Sequence, residues 1–476
     1  MEKLNKLPVG SREKFFLSDI YFQGKLLAQG IKSKLILNDI KYTEPLLIFY
    51  PSKENFHNIA KNFEFEIKGY FEYVDGEKAG EIHIPKAYTI NSEHTTYASS
   101  WEECIVQVIP VEICQKHRIN GQENAEKAKI VFSLTDNKMV NPWGIIERNF
   151  TGEVKSDLKS SVILNFGDNW NARFEKHYHY VSTIIEEVKG CFSSNHLALT
   201  FGKDNYLLSS LNEIKTLSDL LDKLLWYLSF GSRQRTTWIK WTALIGNEIV
   251  EYYRKISVPE KLSEYDEPLV DRSSFQEFLQ HCLAYLTRPN SLNLYLPIVY
   301  LVNADRPGKT IEAQFLSLFM SLEALLNLYA ESREKKKHFT NESWKPFYAY
   351  IKRAIEEFPN INDKDKELLV QKLGIFNQPS MKTLYNDFCN NMTIDNSDLW
   401  PVYGTDIDLS YIRNKLIHGN RFEYETFLSI ANEHLRWTVE RCLLAVLDWK
   451  GITDVNREGL RKYTAYHDWE SYYKKE

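Results

Sequence analysis

The feature that most constrains the fold is a change in hydrophobic pattern just past the middle of the chain. Before about residue 265, apolar and polar residues alternate in short runs, as in Phe63, Phe65 and Ile67. This period of two is typical of half-buried strands. After about residue 273, apolar residues recur every three or four positions, as in amphipathic helices. Because 476 residues exceed what one core holds, we predict an α+β chain with a strand-rich domain at 1–268 and an all-α helical bundle at 269–476.

Several further segments support the strand-rich half. Similar short runs recur at KLILNDIKY, CIVQVIPVEI, KIVFSLT and HLALTFG. A turn between Asp75 and Gly80 predicts a hairpin whose second strand ends at Pro85. One helix at 216–230 interrupts the strands, and the strand-like TTWIKWTALIG follows it.

The helical half is divided by proline, glycine and asparagine. Ser274 and Glu277 have the spacing of a capping box, which predicts a helix to about Leu286. Further helices are predicted at about 311–330, 342–357, 363–373, 380–391, 406–418 and 424–449.

One segment imitates a P-loop. The run LYLPIVYLVNA looks like a strand and leads to Gly308-Lys309-Thr310. However, Asn303 occupies the position of the first glycine, and Pro307 removes a backbone N–H from the phosphate cradle. We therefore do not expect an NTPase.

Composition excludes other classes of protein. The net charge of −5 provides no global basic field, so an RNA site would have to be a local basic patch. The six cysteines are scattered without a CxxC, and His177 and His179 have no third ligand nearby, so neither disulfides nor a metal site are expected. The N-terminus has no signal-peptide pattern and no apolar segment is expected to span a bilayer. We expect a soluble, cytoplasmic protein without a membrane partner.

The segment DIDLSYIRNKLIHGNRF carries the candidate chemistry. At helical spacing, one stripe consists of Leu409, Ile412 and Leu416. The opposite side carries Tyr411, Asn414, Lys415 and His418, with Arg413 at the border. Asn414 and His418 are i,i+4 neighbours that can act on one ligand, and Arg413 can reach a phosphate with its guanidinium. The alternative, a solvated polar face without chemistry, stays open.

His418 has a position suited to proton transfer. It precedes Gly419, an expected helix-ending residue, and the helix dipole at this end favours the imidazolium form. An imidazole that can exist in both forms near neutral pH can act as a general acid or base.

These residues resemble a known family. Arg413-Asn414 followed by His418 is similar to the R-x(4–6)-H signature of HEPN ribonucleases. The segments FLSLFMSLEALLNLY and YIRNKLIHG look more narrowly like the ApeA type of bacterial antiphage proteins. That family pairs a strand-rich N-terminal domain with a C-terminal HEPN domain. The resemblance implies an endoribonuclease that needs no cofactor and pairs two HEPN helices across a two-fold axis.

The signature alone is not specific, because it occurs at three further places. These are Arg173 to His179, Arg333 to His338, and Arg461 to His467. The first lies in a predicted strand, the second in a charged run after a helix, and the third in a polar, aromatic tail. Only Arg413–His418 combines the following asparagine, an amphipathic helix and a long helix behind it.

The resemblance implies roles for individual residues. Arg413, His418 and Asn414 would be catalytic, and Glu323 on an earlier helix would orient Arg413 or His418. A glutamate at the edge of a buried helix, paired with any nearby cation, explains Glu323 equally well. A weaker RNA-binding role falls to Lys415, Lys335, Lys336 and Lys337. The three consecutive lysines also fit a solvated helix end.

The expected function is cleavage of RNA in antiphage, abortive-infection defence. RNA, with tRNA among the candidates, would be the substrate, and the chain would form a homodimer or a higher even oligomer. Because an uncontrolled ribonuclease would poison its host, we expect residues 1 to about 265 to hold it in check until a phage-derived trigger binds. The alternative is a HEPN domain that only dimerises or binds RNA while the N-terminal domain does the recognising.

Overall fold

A computed structural model of the chain forms two compact units. The first comprises residues 1–225 and 236–260, and the second residues 226–235 and 261–476. The sequence predicts a single border at 268/269, whereas the structure groups residues 226–235 with the later part of the chain. The residues described are 11–38, 45–72, 78–96, 102–118, 127–140, 144–148, 154–158, 162–167, 170–185, 188–204, 206, 208, 210–246, 248–254, 267–306, 308–333, 337, 339–404, 407–419, 425–451 and 453.

The first unit is strand-rich, as predicted. Its strands are β1 (Ser11–Phe22), β2 (Lys25–Asn38), β3 (Leu46–Tyr50), β4 (Glu64–Glu72), β5 (Lys78–Thr96), β6 (Glu102–Pro110), β7 (Glu112–Arg118), β8 (Lys127–Leu134), β9 (Gly144–Arg148), β10 (Val154–Leu158), β11 (Ile163–Asn165), β12 (Asn171–Ile185), β13 (Val188–Asp204), β14 (Trp238–Ile245) and β15 (Glu248–Arg254). All but β9 and β10 belong to one antiparallel sheet, ordered β11-β12-β13-β8-β14-β15-β7-β5-β4-β1-β2-β3-β6.

One end of this sheet closes into a six-stranded barrel. The ring closes because β5 pairs with β6 as well as with β4. Alternating side chains fill the interior, including Ile20, Leu35 and Phe49, each fully buried. A short helix, α1 (Lys53–Ala60), adds Ile59 to the same core. The sequence pattern predicts only one helix in this half and does not reveal α1.

The predicted strand end at Pro85 is wrong. β5 continues through Pro85 to Thr96, and it pairs with β4 on one side. The pairing shifts register between Ile67–Ile84 and Phe65–Ala87, so Pro85 lies in an irregular part of the ladder. A proline is tolerated there because the ladder does not need its missing N–H.

The second unit is a helical bundle. Helix α2 (Leu211–Ser232) enters it from residue 226, and helices follow at α3 (Phe275–Thr287), α4 (Tyr295–Ala304), α5 (Ile311–Ser332), α6 (Asn341–Glu357), α7 (Asp363–Lys372), α8 (Met381–Met392), α9 (Leu409–Ile417) and α10 (Glu425–Leu447). A 3₁₀ segment, Leu373–Asn377, follows α7. The helices predicted from the apolar periodicity therefore exist. From α3 onward their ends are shifted by up to three residues, whereas α2 begins five residues before the predicted start at 216.

Helix α5 is the central helix of the bundle. It contacts α4, α8, α9 and α10, and it buries Phe315, Leu318, Phe319, Ser321, Leu322, Leu325, Leu326, Tyr329 and Ala330. By length and composition, α5 is the one described helix that could cross a membrane, contrary to the expectation that no segment is apolar enough. In the structure, α5 packs against four other helices, and 39% of that apolar window is buried.

Two local predictions in this unit are wrong. Ser274 makes no capping hydrogen bond; Asp271 instead accepts from the backbone N–H of Ser273 at 2.9 Å and caps a preceding 3₁₀ turn. The strand-like LYLPIVYLVNA is helix α4, which buries Pro297, Ile298 and Leu301 at helical spacing. A nearly continuous apolar run does not distinguish a strand from a buried helix. No strand therefore leads into Gly308-Lys309-Thr310, as a P-loop requires.

Candidate active site

Helix α9, which carries the R-x(4)-H signature, begins at the N-cap residue Asp408. The Asp408 carboxylate accepts from the backbone N–H of Tyr411 at 2.8 Å and from the Ser410 hydroxyl at 2.7 Å. Its second oxygen accepts from the backbone N–H of Gly404 at 2.7 Å, which ties the preceding loop to the helix. Asp408 is only 7% exposed, so this cap fixes the first turn of α9 in place.

The loop before α9 is anchored to α10. Trp400 is 1% exposed; its indole N–H donates to the carbonyl of Ile407 at 2.9 Å. The backbone N–H of Trp400 donates to Nδ1 of the buried His434 at 3.0 Å. These bonds give α9 a fixed position against α10.

The two faces of α9 are as predicted at most positions. Leu409 and Ile412 are fully buried, whereas Leu416 is only half-buried. On the other side Asn414 and His418 are exposed. The helix is shorter than the predicted 406–418: it starts at Leu409 and ends at Ile417. His418 is its C-cap, and Gly419 follows with a φ of 72°, a left-handed conformation that favours glycine.

Arg413 and Glu323 form an ion pair between α9 and α5. Nη2 of Arg413 donates to Oε1 of Glu323 at 2.9 Å, with side chains 32% and 24% exposed. Nη1 of Arg413 donates to Oδ1 of Asn414 at 3.1 Å, and the guanidinium carbon lies 5.7 Å from the ring centroid of Phe319. Among the described residues, Glu323, Asn414 and Phe319 thus contact the guanidinium on three sides. The fork still has N–H groups that can donate to a phosphate.

The sequence pattern did not reveal Tyr403. It lies in the loop before α9, with its ring 6.4 Å from that of Phe319 and 5.7 Å from that of Tyr385. Burial raises the pKa of Tyr403 well above its ordinary value, and the Glu323 carboxylate raises it further. The hydroxyl is therefore a neutral hydrogen-bonding group beside the Arg413–Glu323 pair. A tyrosine in an irregular loop has no periodicity that could have pointed to it.

The weaker RNA-binding candidates lie on two separate segments of the chain. Lys415 is half-buried, and its ammonium lies 5.5 Å from the ring centroid of Tyr411. Lys337 is exposed on the loop between α5 and α6, away from α9 in sequence. Lys335 and Lys336 lie outside the described residues, as do the side chains of His177 and His179.

Comparison with known proteins adds no relative. The chain matches no protein-family model, no curated protein and no solved structure. Among the described residues, no group of three or more His, Cys, Asp and Glu side chains is arranged to hold a metal ion. The assignment of a function therefore depends on the residues and contacts of α5 and α9 themselves.

Proposed function

We propose that this chain is a metal-independent endoribonuclease of the HEPN type, acting in antiphage defence in the cytoplasm. The observation that carries the proposal is the ion pair between Arg413 and Glu323 at 2.9 Å, with Asn414 bonded to the same guanidinium. These three residues and the exposed His418 are the ones the family resemblance assigns to the site. Their grouping on two packed helices is the arrangement that a nuclease site of this type needs.

The ion pair suits the proposed role of Glu323 as a positioning residue. A lone arginine side chain has many rotamers, and holding its planar fork in one orientation lowers the entropy lost on binding phosphate. Glu323 holds one edge of the fork, and Phe319 lies against its face. The same contacts are compatible with a second function, in which the ion pair only joins α5 to α9 in a binding module. That alternative predicts no RNA cleavage.

The mechanism that fits these groups is transesterification. The 2′-hydroxyl of RNA attacks the adjacent phosphorus while His418 transfers a proton, and the bond to the 5′-oxygen breaks. Arg413 stabilises the negative charge that develops on the phosphate oxygens. Asn414 holds the phosphate or orients His418. The products are a 2′,3′-cyclic phosphate and a 5′-hydroxyl, and DNA is resistant because it lacks the nucleophile.

The proposal is tested by incubating the purified full-length chain with total cellular RNA and with matched DNA. We expect RNA fragments with 2′,3′-cyclic phosphate ends, no DNA cleavage, and no loss of rate in a chelating agent. Because the N-terminal half is proposed to respond to a phage-derived trigger, the assay is repeated with lysate from infected cells. Absence of RNA cleavage in both conditions would favour the binding-module reading.

The same proposal includes a homodimer. One copy supplies one histidine, while strand cleavage benefits from both an acid and a base, so two α9 helices facing each other would complete the site. Apolar side chains are exposed near this surface: Ile417 is 51%, Met320 44% and Tyr411 36% exposed. A second copy covering α9 would remove them from water.

Replacing Ile417 with glutamate should therefore dissociate the dimer. Each dimer contains the substitution twice by symmetry. The free energy of association should therefore weaken by at least about 3 kcal/mol, which raises the dissociation constant more than about 100-fold. Sedimentation of the full chain measures it, with Leu369→Glu as the control because Leu369 is 41% exposed on α7. A wild-type chain that is monomeric while fully active would contradict the dimer.

A further inference from the structure

The helical unit contains a cavity that the proposed chemistry does not use. It has a volume of about 600 Å³ and lies between the end of α5, the start of α6, the 3₁₀ segment Leu373–Asn377 and the start of α8. This volume is within the usual range for small-molecule sites. Its lining combines an aromatic ring with amide and charged groups, among them Asn327, Glu331, Lys337, Trp344 and Gln378.

The aromatic side chain that lines the cavity, Trp344, is held in place by its neighbours. Trp344 is stacked on Phe339, with ring centroids 6.1 Å apart and planes 16° apart. Phe339 is held by Asn377, whose amide oxygen accepts from the Phe339 N–H at 2.7 Å and whose amide nitrogen donates to the Phe339 carbonyl at 3.4 Å. Asn377 is 3% exposed. A buried amide used in this way fixes the position of the aromatic pair at the cavity.

The polar groups at the cavity suit a nucleobase. Asn327 and Gln378 are exposed, and each amide offers donors and an acceptor of the kind that reads the edge of a base. Lys337, also exposed, supplies a positive charge near a backbone phosphate. Unpaired bases in RNA are recognised in this way, by stacking on an aromatic side chain and by hydrogen bonds to the base edge.

The cavity and the candidate active site share helix α5, which carries both Asn327 of the cavity lining and Glu323. Asn327 follows Glu323 by one helical turn, about 6 Å along the axis and on nearly the same face. Glu331 lies one further turn along and also lines the cavity. A strand whose phosphate lies at Arg413 therefore has a neighbouring nucleotide within reach of the cavity.

We propose that this cavity holds an unpaired base of the RNA, next to the phosphate that is cleaved, and so sets the sequence preference of the enzyme. The base stacks on Trp344, and Asn327 and Gln378 donate to and accept from its edge. This inference rests on the proposed ribonuclease function. It adds a determinant of which RNA positions are cut.

The test measures binding separately from cleavage. The His418→Ala chain is titrated with a short fluorescent single-stranded RNA, alone and with Trp344→Leu, Trp344→Phe or Asn327→Ala added. Loss of one base–aromatic stack should weaken binding by about 5- to 150-fold in Trp344→Leu, whereas Trp344→Phe keeps a ring and binds nearly normally. Tyr350→Ala is the control, since Tyr350 is 73% exposed on the same helix and lies outside the cavity lining.

The second arm uses chains with His418 intact and an RNA library of random sequence. Asn327→Ala, an exchange at an exposed position, should reduce the preference for one base beside the cut by about 5-fold or more. Equal RNA affinity in Trp344→Leu and its parent, or no RNA binding by the His418→Ala chain, would overturn the cavity proposal and leave the cavity to a peptide or another ligand. Trp344-dependent binding without any cleavage would instead overturn only the nuclease.

Discussion

Replacing either Arg413 or His418 with alanine should slow RNA cleavage by about 10²- to 10⁴-fold, the usual range for loss of a general acid–base group or of charge stabilisation at an oxyanion. The Arg413→Ala/His418→Ala chain should be no slower than about the worse single variant, because residues that act on one transition state are not additive. Arg413→Lys should recover only part of the rate, since an ammonium lacks the planar fork that Glu323 and Asn414 hold. Initial rates on a single defined RNA measure all four.

A matched control exists within the chain. Arg173 and His179 carry the same sequence signature in β12, so Arg173→Ala/His179→Ala should leave the rate unchanged. If the double variant at Arg413 and His418 cut RNA at an undiminished rate, or if cleavage required Mg²⁺, the chemistry would lie elsewhere. Unchanged thermal unfolding of the variants separates lost chemistry from lost structure.

The sequence predicted α9 because a helix and its buried face depend on periodicity, whereas the place of Glu323 near Arg413 or His418 was implied only by the family resemblance. Leu409 and Ile412 mark the buried stripe of α9, so the positions of Asn414 and His418 on the opposite side follow from 100° per residue. Glu323 flanks the buried stripe of α5 and is long enough to reach a neighbouring helix. That Arg413 is its partner is tertiary information, which periodicity does not contain.

The parts that were missed depend on loops and on packing. Tyr403 lies in an irregular loop and contacts residues far away in sequence, and the cavity lined by Trp344 is formed by several separate segments. No local pattern therefore indicates either feature. The sequence of helix α4 resembles a strand because its apolar run is nearly unbroken. The expected cap at Ser274 is absent because a 3₁₀ turn precedes the helix. Asp271, three residues before Ser274, accepts a hydrogen bond from the N–H of Ser273 and caps that turn.

A buried charge network inside the helical unit was also hidden from the sequence. Nε and Nη2 of Arg233 donate to the two oxygens of Glu440 at 2.9 and 2.5 Å, and both side chains are at most 5% exposed. Arg436, one turn before Glu440 on α10, is paired with Asp305 at the end of α4. Burial raises the pKa of Asp305 above its ordinary value, and the nearby Glu440 raises it further, while Arg436 and Arg233 lower it. The positive charges of Arg233 and Arg436 are therefore balanced by the negative charges of Glu440 and Asp305. Of these two carboxylates, Glu440 is the more deeply buried.

Removing the charge of Glu440 should destabilise this unit strongly. Glu440→Gln keeps the size of the side chain but leaves buried Arg233 facing a neutral amide, so the free energy of unfolding should fall by about 3–5 kcal/mol. Urea denaturation followed by helical circular dichroism measures it. In the control Glu356→Gln, the exposed pair with Lys352 is lost, and the expected change is only about 0.3–0.5 kcal/mol.

The size of that loss reflects an uncompensated charge and says little about the strength of the native pair. Replacing both partners, as in Arg233→Met/Glu440→Leu, removes both desolvation penalties and should therefore be less destabilising than Glu440→Gln alone. If the double variant unfolded at a lower urea concentration than the single one, the pair itself would be strongly stabilising. If Glu440→Gln changed stability no more than Glu356→Gln does, Glu440 would not be the buried counter-ion of Arg233 that the geometry describes.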